Sequence, residues 1–133
     1  MKFVRQGTVP ASFGRSRGTW HARPYKNMSE PIVVLVTCGS EEEALKIAHS
    51  LVEGRLAACV NLISPIRSIY RWEGKIWDET EWLLIVKTQR QRFEELEKEV
   101  KSLHSYSVPE IIGLPIVEGT SSYLDWLEEM TKK

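Results

Sequence analysis

ACVNLISPIRSIYRW (residues 58–72) and KIWDETEWLLIVKT (residues 75–88) are two long extended segments joined by a turn around Gly74. In the second half of the first segment the side chains alternate between two faces. One face carries Ile66, Ser68, Tyr70 and Trp72. Pro65 cannot donate a ladder hydrogen bond, so it predicts a bulge or a sheet edge at that point. Together the two segments predict an antiparallel hairpin.

This hairpin is too long for the domain that carries it. At about 3.3 Å per residue its strands reach roughly 45–50 Å, two to three times the usual strand length. A chain of 133 residues cannot cover such a hairpin with its own layers, so part of it should project. The projecting part is a predicted association surface because it carries large aromatic side chains, namely Tyr70, Trp72, Trp77 and Trp82.

The segments on either side of the hairpin alternate between strand and helix. PIVVLVTC, from Pro31 to Cys38, is a short β-branched run that predicts a strand covered on both faces. Ser40 and Glu43 form a capping box that opens a helix, and Gly54 ends it.

A second capping box at Thr88 and Gln91 predicts the start of the next helix. A final strand, PEIIGLPIVEG (residues 109–119), follows that helix. The last helix is predicted with Ser122 as its cap and Asp125 three residues further on.

The element order is β-α-β-β-α-β with an extra C-terminal helix, which predicts an α+β, ferredoxin-like antiparallel sheet. Residues 30–133 form this single predicted domain. The fold hosts many unrelated functions, so function has to be argued from particular residues.

Charge divides the chain into two parts. Residues 1–29 contain six basic residues and no acid, whereas 12 bases and 18 acids follow from Glu30 onward. Residues 1–29 are therefore a basic, flexible leader: a transit peptide, an extension before Met28 or a plain tail. The balanced total predicts no nucleic-acid partner, and the apolar runs are shorter than the roughly 18 residues of a membrane span.

Two cysteines and one histidine are the candidate metal ligands of the domain. In the predicted sheet Cys38 ends the first strand and Cys59 begins the second, so they lie at opposite ends and should not form a disulfide. The same topology places His104 and Tyr106 near Cys38. A thiolate with an imidazole suits copper or zinc, although a histidine at a helix end also commonly caps the terminal carbonyls. Unpaired cysteines favour a reducing, intracellular compartment.

Five separated motifs resemble the CutA family of divalent-cation-tolerance proteins: AACVNLI, SIYRWEGKI, LLIVKT, the run from His104 through Tyr106 into VPEIIGLPI, and SYLDWL. The resemblance covers about residues 31–130. It implies a cytoplasmic homotrimer of ferredoxin-like subunits, similar to PII signalling proteins, whose long hairpins wrap neighbouring subunits. It also implies tolerance of divalent metals, especially copper, bound as Cu²⁺ or another divalent cation. An organellar location follows instead if residues 1–29 direct import.

The resemblance carries over only part of a metal site. The family pattern has a cysteine where this chain has Val36 and paired histidines where it has Leu103 and His104, so only His104 matches. Cys38 lies on the same strand face as Val36 and is the proposed substitute. Cys59 matches a family cysteine that could bind metal if a trimer partner comes near. The family run Pro-Tyr-Glu after the histidine is Ser-Tyr-Ser here, at residues 105–107.

A second set of residues resembles the family's cleft between subunits: Trp72, Lys87, Tyr106 and Glu110. An indole, an ammonium, a phenol and a carboxylate could hold a small charged ligand, or they could stabilise the trimer interface. Sensing of a small molecule, as in PII proteins, and anchoring of another protein are therefore alternatives to metal tolerance.

Two functions of similar folds are disfavoured by the sequence. Acyl-phosphate hydrolysis needs an arginine cradle after the first strand, but that loop reads TCGS. RNA binding needs aromatic side chains on the central strands and a basic face, and this chain has neither. No nucleophile and base pair is evident, so we expect a protein that is not an enzyme.

Overall fold

The computed structural model describes residues 30–133, and the leader predicted for residues 1–29 lies outside them. The predicted order of elements is confirmed. The strands are β1 (Pro31–Cys38), β2 (Cys59–Trp72), β3 (Lys75–Gln89) and β4 (Ile111–Pro115). The helices are α1 (Glu41–Glu53), α2 (Phe93–Leu103) and α3 (Ser121–Met130), and a 3-10 turn at Arg90–Arg92 precedes α2. None of the helices described is long and apolar enough to cross a membrane.

The strands form one antiparallel sheet in the order β2-β3-β1-β4. β1 lies between β3 and β4 and is antiparallel to both, as predicted. Its alternate side chains Ile32, Val34, Val36 and Cys38 are buried. They join the apolar stripes of α1 and α2 in a single core, which also includes Ile47, Leu51, Leu84, Leu96 and Val100. Two helices on one face of the sheet thus bury every second residue of β1.

The opposite face of the sheet is only partly covered. α3 packs there beside Gln89, whose Nε2 donates a hydrogen bond to Thr131 Oγ1 at 2.6 Å, and Leu127 is buried. Beyond α3, Ile63, Ile112 and Leu114 remain 44–49% exposed within the single subunit. Large apolar side chains grouped on a sheet face favour a binding surface.

The hairpin projects as predicted. β1 pairs with β3 only from Trp82 to Gln89, so residues 66–72 and 75–81 pair with each other and with no further strand of the described chain. We call these two segments the arm. The register shifts between Ile63 and Ile66, which confirms the bulge predicted at Pro65. A two-residue turn with positive φ at Glu73 (53°) and Gly74 (78°) closes the arm, as a type I′ turn requires.

Trp82 does not belong to the projecting part. It lies opposite Cys38 in the sheet, and its partly buried side chain packs against the core. The predicted association surface is therefore carried by Tyr70, Trp72 and Trp77.

Two of the predicted helix caps are wrong. Thr88 lies within β3, where its hydroxyl donates to the Leu56 carbonyl at 2.7 Å, and the α-helix begins at Phe93. Thr120, and not Ser122, occupies the N-cap position of the last helix, and its side chain makes no capping hydrogen bond. The cap at Ser40 is confirmed, since its side chain accepts a hydrogen bond from the Glu43 N–H. Strand β4 is also shorter than predicted, at five residues.

Candidate metal centre

Three elements bring a thiol, a carboxylate and an imidazole together at one end of the sheet. Cys38 ends β1, Glu43 lies in the first turn of α1, and His104 directly follows the last residue of α2. Their donor atoms all lie within 4.8 Å of one another. Within the described part of the chain this is the one such group of three residues. The predicted proximity of Cys38 and His104 follows from the strand order and is present in the structure.

The two nitrogens of His104 have different roles. Nε2 lies 2.7 Å from the carbonyl oxygen of Thr37, and because a carbonyl only accepts, Nε2 carries a proton. Nδ1 lies 3.2 Å from the Tyr106 backbone nitrogen and 3.1 Å from Glu43 Oε2. The ring is fully buried. Nδ1 is therefore the nitrogen that can bind a cation. The alternative role of His104, as a cap for the carbonyls of its own helix, is not what Nε2 does, because its partner Thr37 is in β1.

Cys38 is buried and protonated in the metal-free protein. Burial raises the pKa of its thiol to about 12, and the negative charges of Glu43 and Glu81 add to the shift. A metal ion binds the thiolate, so binding at Cys38 has to displace a proton.

Glu43 was predicted only as half of a capping box, but its carboxylate binds Ser105 instead of the helix cap. It accepts a 2.8 Å hydrogen bond from the Ser105 N–H and a 2.9 Å hydrogen bond from the Ser105 hydroxyl. Ser105 is 62 residues away in the chain, and no local pattern indicates that pairing. Glu43 is thus a site residue that the sequence analysis missed.

A cleft of about 510 Å³ opens beside Glu43. Its walls include hydroxyl, carboxylate and phenol groups from Ser40, Glu43, Glu79, Thr80, Ser105 and Tyr106. Two acidic side chains on this rim attract cations. The cleft therefore offers a route from solvent to a carboxylate of the candidate centre.

Tyr106 connects the centre to the arm. Its ring lies 4.6 Å from the imidazole of His104, and its hydroxyl donates a 2.6 Å hydrogen bond to Glu81 Oε2. Glu81 is 2% exposed and pairs with Ile66, at the base of the arm. Burial and the Glu81 carboxylate raise the pKa of Tyr106, and burial and Glu81 also raise the pKa of Glu110. Glu81 is the second residue that was missed, because alternation alone does not mark one acid of the strand as buried.

The remaining predicted residues do not converge within one subunit. Cys59 pairs with Lys87 across β2 and β3, and the Lys87 Nζ contacts Cys59 Sγ at 4.0 Å and hydrogen-bonds to Asn61 Oδ1. Trp72 lies beside the turn of the arm. Lys87 and Trp72 are each roughly 20 Å along the hairpin from the position of Glu81, at 3.3 Å per residue. Cys59 is likewise remote from Cys38, and both cysteines are free.

The donor set fits a soft or borderline divalent ion. Imidazole suits copper and zinc, and a thiolate favours soft ions over magnesium or calcium. From usual bond lengths, donors in a tetrahedral site lie about 3.5 Å apart. Cys38, Glu43 and His104 would hold such an ion through one sulfur, one oxygen and one nitrogen atom.

The chain is similar to known proteins along most of its described length. The family profile for "CutA1 divalent ion tolerance protein" matches residues 32–130. The "Divalent-cation tolerance protein CutA" of Thermus thermophilus is 56% identical over 99 residues, covering 74% of this chain and 96% of that protein. "Protein CutA, chloroplastic" of Arabidopsis thaliana is 46% identical over 101 residues, covering 76% of this chain but only 56% of that protein.

A solved structure has the same fold. The divalent cation tolerance protein (Cut A1) from Thermus thermophilus superposes with a TM-score of 0.75 at 54% identity, over 77% of this chain and 99% of that one. The family match spans the sheet, the arm and the candidate metal centre. This chain therefore belongs to the family of CutA1 divalent ion tolerance proteins.

Proposed function

We propose that this protein is a homotrimer that binds a divalent cation, preferentially copper, and acts in metal tolerance or response. The observation that carries the proposal is the buried convergence of Cys38, Glu43 and His104 within 4.8 Å. Cu²⁺ binds nitrogen and sulfur donors more tightly than the other divalent ions of its row. The protein is proposed as a binding protein and not as an enzyme.

The three residues would hold the ion through one atom each. His104 offers Nδ1, because Nε2 is held by the Thr37 carbonyl. Glu43 offers a carboxylate oxygen, and Cys38 offers its sulfur after losing a proton. The bond from Nε2 to Thr37 fixes the orientation of the ring, as partners behind a metal ligand commonly do.

The trimer is proposed from surfaces that one subunit leaves incomplete. Among the described residues the arm has no third strand beside it beyond Trp82, and the face with Ile63, Ile112 and Leu114 stays exposed. The Trp72 Nε1–H is buried without a hydrogen-bond acceptor in that same part of the chain. A neighbouring ferredoxin-like subunit of the PII type would pair with the arm and cover the exposed face. Cys59 would join a metal site only through such a neighbour.

Titration calorimetry with Cu²⁺ on the full chain tests the metal site. We expect His104→Ala to weaken binding at least tenfold, because removal of a ligand costs no less than the 10–100-fold typical of its supporting partners. His49→Ala is the matched control, since His49 is exposed on α1 and lies beside Glu53, outside the centre. Equal copper affinity in the wild-type protein and the His104→Ala variant would refute the site.

A ligand cleft between subunits is a second candidate. Trp72, Lys87, Tyr106 and Glu110 would meet only if the arm of one subunit lies against the next. The Trp72 indole, which has no acceptor among residues 30–133, and the half-buried Glu110, whose pKa is raised, support such a contact. Trp72→Ala distinguishes the two roles of this set: loss of the trimer identifies an interface, whereas an intact trimer favours binding of a small ligand or an anchored protein.

The loop after β1 favours cations over phosphate. Gly39 and Ser40 lead into Glu41, Glu42 and Glu43, so three acids and no base lie at this helix start. An acyl-phosphate site would need the opposite charge there. For its location we propose the cytoplasm, or an organelle if residues 1–29 direct import.

A further inference from the structure

Two consecutive residues, Ser105 and Tyr106, already donate hydrogen bonds to Glu43 and His104 of the candidate metal centre. The Ser105 N–H and hydroxyl bind the two oxygens of Glu43 at 2.8 and 2.9 Å, and the Tyr106 N–H binds His104 Nδ1 at 3.2 Å. All three hydrogen bonds come from the residues that directly follow His104. We call Ser105 and Tyr106 the latch.

A cation that binds at this centre must break at least one hydrogen bond of the latch. Nδ1 has one lone pair in the plane of the ring, so it can accept from the Tyr106 N–H or bind a metal, but not both. Rotation of the ring to present Nε2 would break its 2.7 Å bond to Thr37. The carboxylate of Glu43 has more lone pairs and can keep one bond to Ser105 while it turns. The contact between Tyr106 N–H and Nδ1 is therefore the one that must open.

Tyr106 cannot move without affecting the arm. It is 7% exposed, its ring packs on His104, and its hydroxyl is bound to the buried Glu81. A Cβ placed on Gly39 would lie 3.0 Å from the Tyr106 hydroxyl, so the ring also fits closely against the chain just after β1. A shift of the Tyr106 backbone thus changes the hydrogen bond to Glu81, at the base of the arm.

On the basis of the proposed metal site, we infer that a cation opens the latch by breaking the contact between the Tyr106 N–H and His104 Nδ1. The Tyr106–Glu81 hydrogen bond then carries this change to the arm. Metal binding at Cys38, Glu43 and His104 is then coupled to the part of the subunit that meets its neighbours. Ser105 holds the carboxylate of Glu43 through both its N–H and its hydroxyl.

Hydrogen exchange of the full chain, with and without saturating Zn²⁺, tests the coupling. Zn²⁺ is the probe because it has no redox chemistry with thiols. We expect the Tyr106 amide to exchange at least tenfold faster with Zn²⁺, and amides near Glu81 and Ile66 to change with it. In Tyr106→Phe at saturating Zn²⁺, the change near Glu81 should disappear. A Tyr106 amide that keeps its protection when Zn²⁺ is bound would overturn the inference, as would a full arm response in Tyr106→Phe.

Zinc titrations of serine variants provide an independent measurement. Ser105→Ala removes one bond that holds Glu43 away from the ion, so Zn²⁺ should bind about fivefold more tightly, as expected for one net hydrogen bond. Ser102→Ala is the control, because its hydroxyl bonds to the Glu99 carbonyl on α2, away from the centre. Equal affinity in Ser105→Ala and the control contradicts the latch. Absence of any Zn²⁺ or Cu²⁺ binding by the wild-type chain refutes the metal site itself, which is a different result.

Discussion

At the scale of single residues, the chemistry of the centre is set by burial. Cys38 lies where no water reaches its sulfur, and two carboxylates nearby oppose a negative charge on it. The thiolate is therefore formed only when a cation arrives to balance it. In the proposed metal site, binding of metal and loss of a proton are one event at this residue.

This coupling predicts a pH dependence. The pKa of Cys38 is raised to about 12, so at neutral pH the free protein holds this proton and the metal-bound protein does not. Zn²⁺ affinity should therefore rise with pH, by about tenfold per unit from this group, until the thiol ionises without metal. Calorimetry in two buffers of different ionisation enthalpy counts the protons released at about pH 7.

Cysteine variants show whether the proton released on Zn²⁺ binding comes from Cys38. Cys38→Ser should release about one proton fewer per Zn²⁺ than the wild-type chain. Cys59→Ser should release the same number as the wild-type chain, since Cys59 lies at the other end of the sheet beside Lys87. Identical proton release from Cys38→Ser and wild-type protein would show that this thiol does not bind the ion.

At the scale of elements, the turn of the arm depends on one glycine. Gly74 has φ of 78°, where an added Cβ meets no atom within 4 Å, so the cost of a side chain there is entirely one of backbone conformation. We expect Gly74→Ala to lower the free energy of unfolding by about 1–2 kcal/mol. Gly113→Ala is the control, because its Cβ would make an ordinary 3.6 Å contact with Ile32. Equal urea midpoints for the two variants would contradict the turn geometry.

Most elements could be predicted from the sequence because their signals are local. The period of two in β2, the proline at its bulge and the stripe of α1 each determine structure within a few residues. The two failed helix caps show the limit of this reasoning. Thr88 has the residue type of a cap, but its hydroxyl is bound by the Leu56 carbonyl from 32 residues away. The Thr88 hydroxyl makes this tertiary hydrogen bond, whereas the local pattern predicted that it would cap the helix.

Only the part of the candidate site that follows from strand order could be predicted from the sequence. Strand order alone brings Cys38 and His104 to one end of the sheet. Glu43 and Glu81 join them through contacts with Ser105 and Tyr106, and the spacing of these residues in the sequence carries no sign of that. A meeting of Trp72 and Lys87 with Tyr106 could not be judged from the sequence either, because the proposed contact needs a second subunit.

At the scale of the whole molecule, residues 30–133 of one subunit leave the arm and much of a sheet face without a partner. The exposed side chains of Ile63, Ile112 and Leu114 lie on a surface that other copies of the chain would cover. The latch also connects this assembly surface to the candidate metal centre, because Tyr106 is hydrogen-bonded to Glu81 at the base of the arm. Assembly is therefore central to the proposed function.

Sedimentation equilibrium at micromolar concentration tests this claim most directly. One chain has a mass of 15.3 kDa, so a trimer should sediment as a single species of about 46 kDa. The proposed interface consists of the arm and the exposed sheet face and needs no metal ligand, so we expect the trimer to persist without added metal. A well-folded species with the mass of one chain at the same concentration would contradict the account.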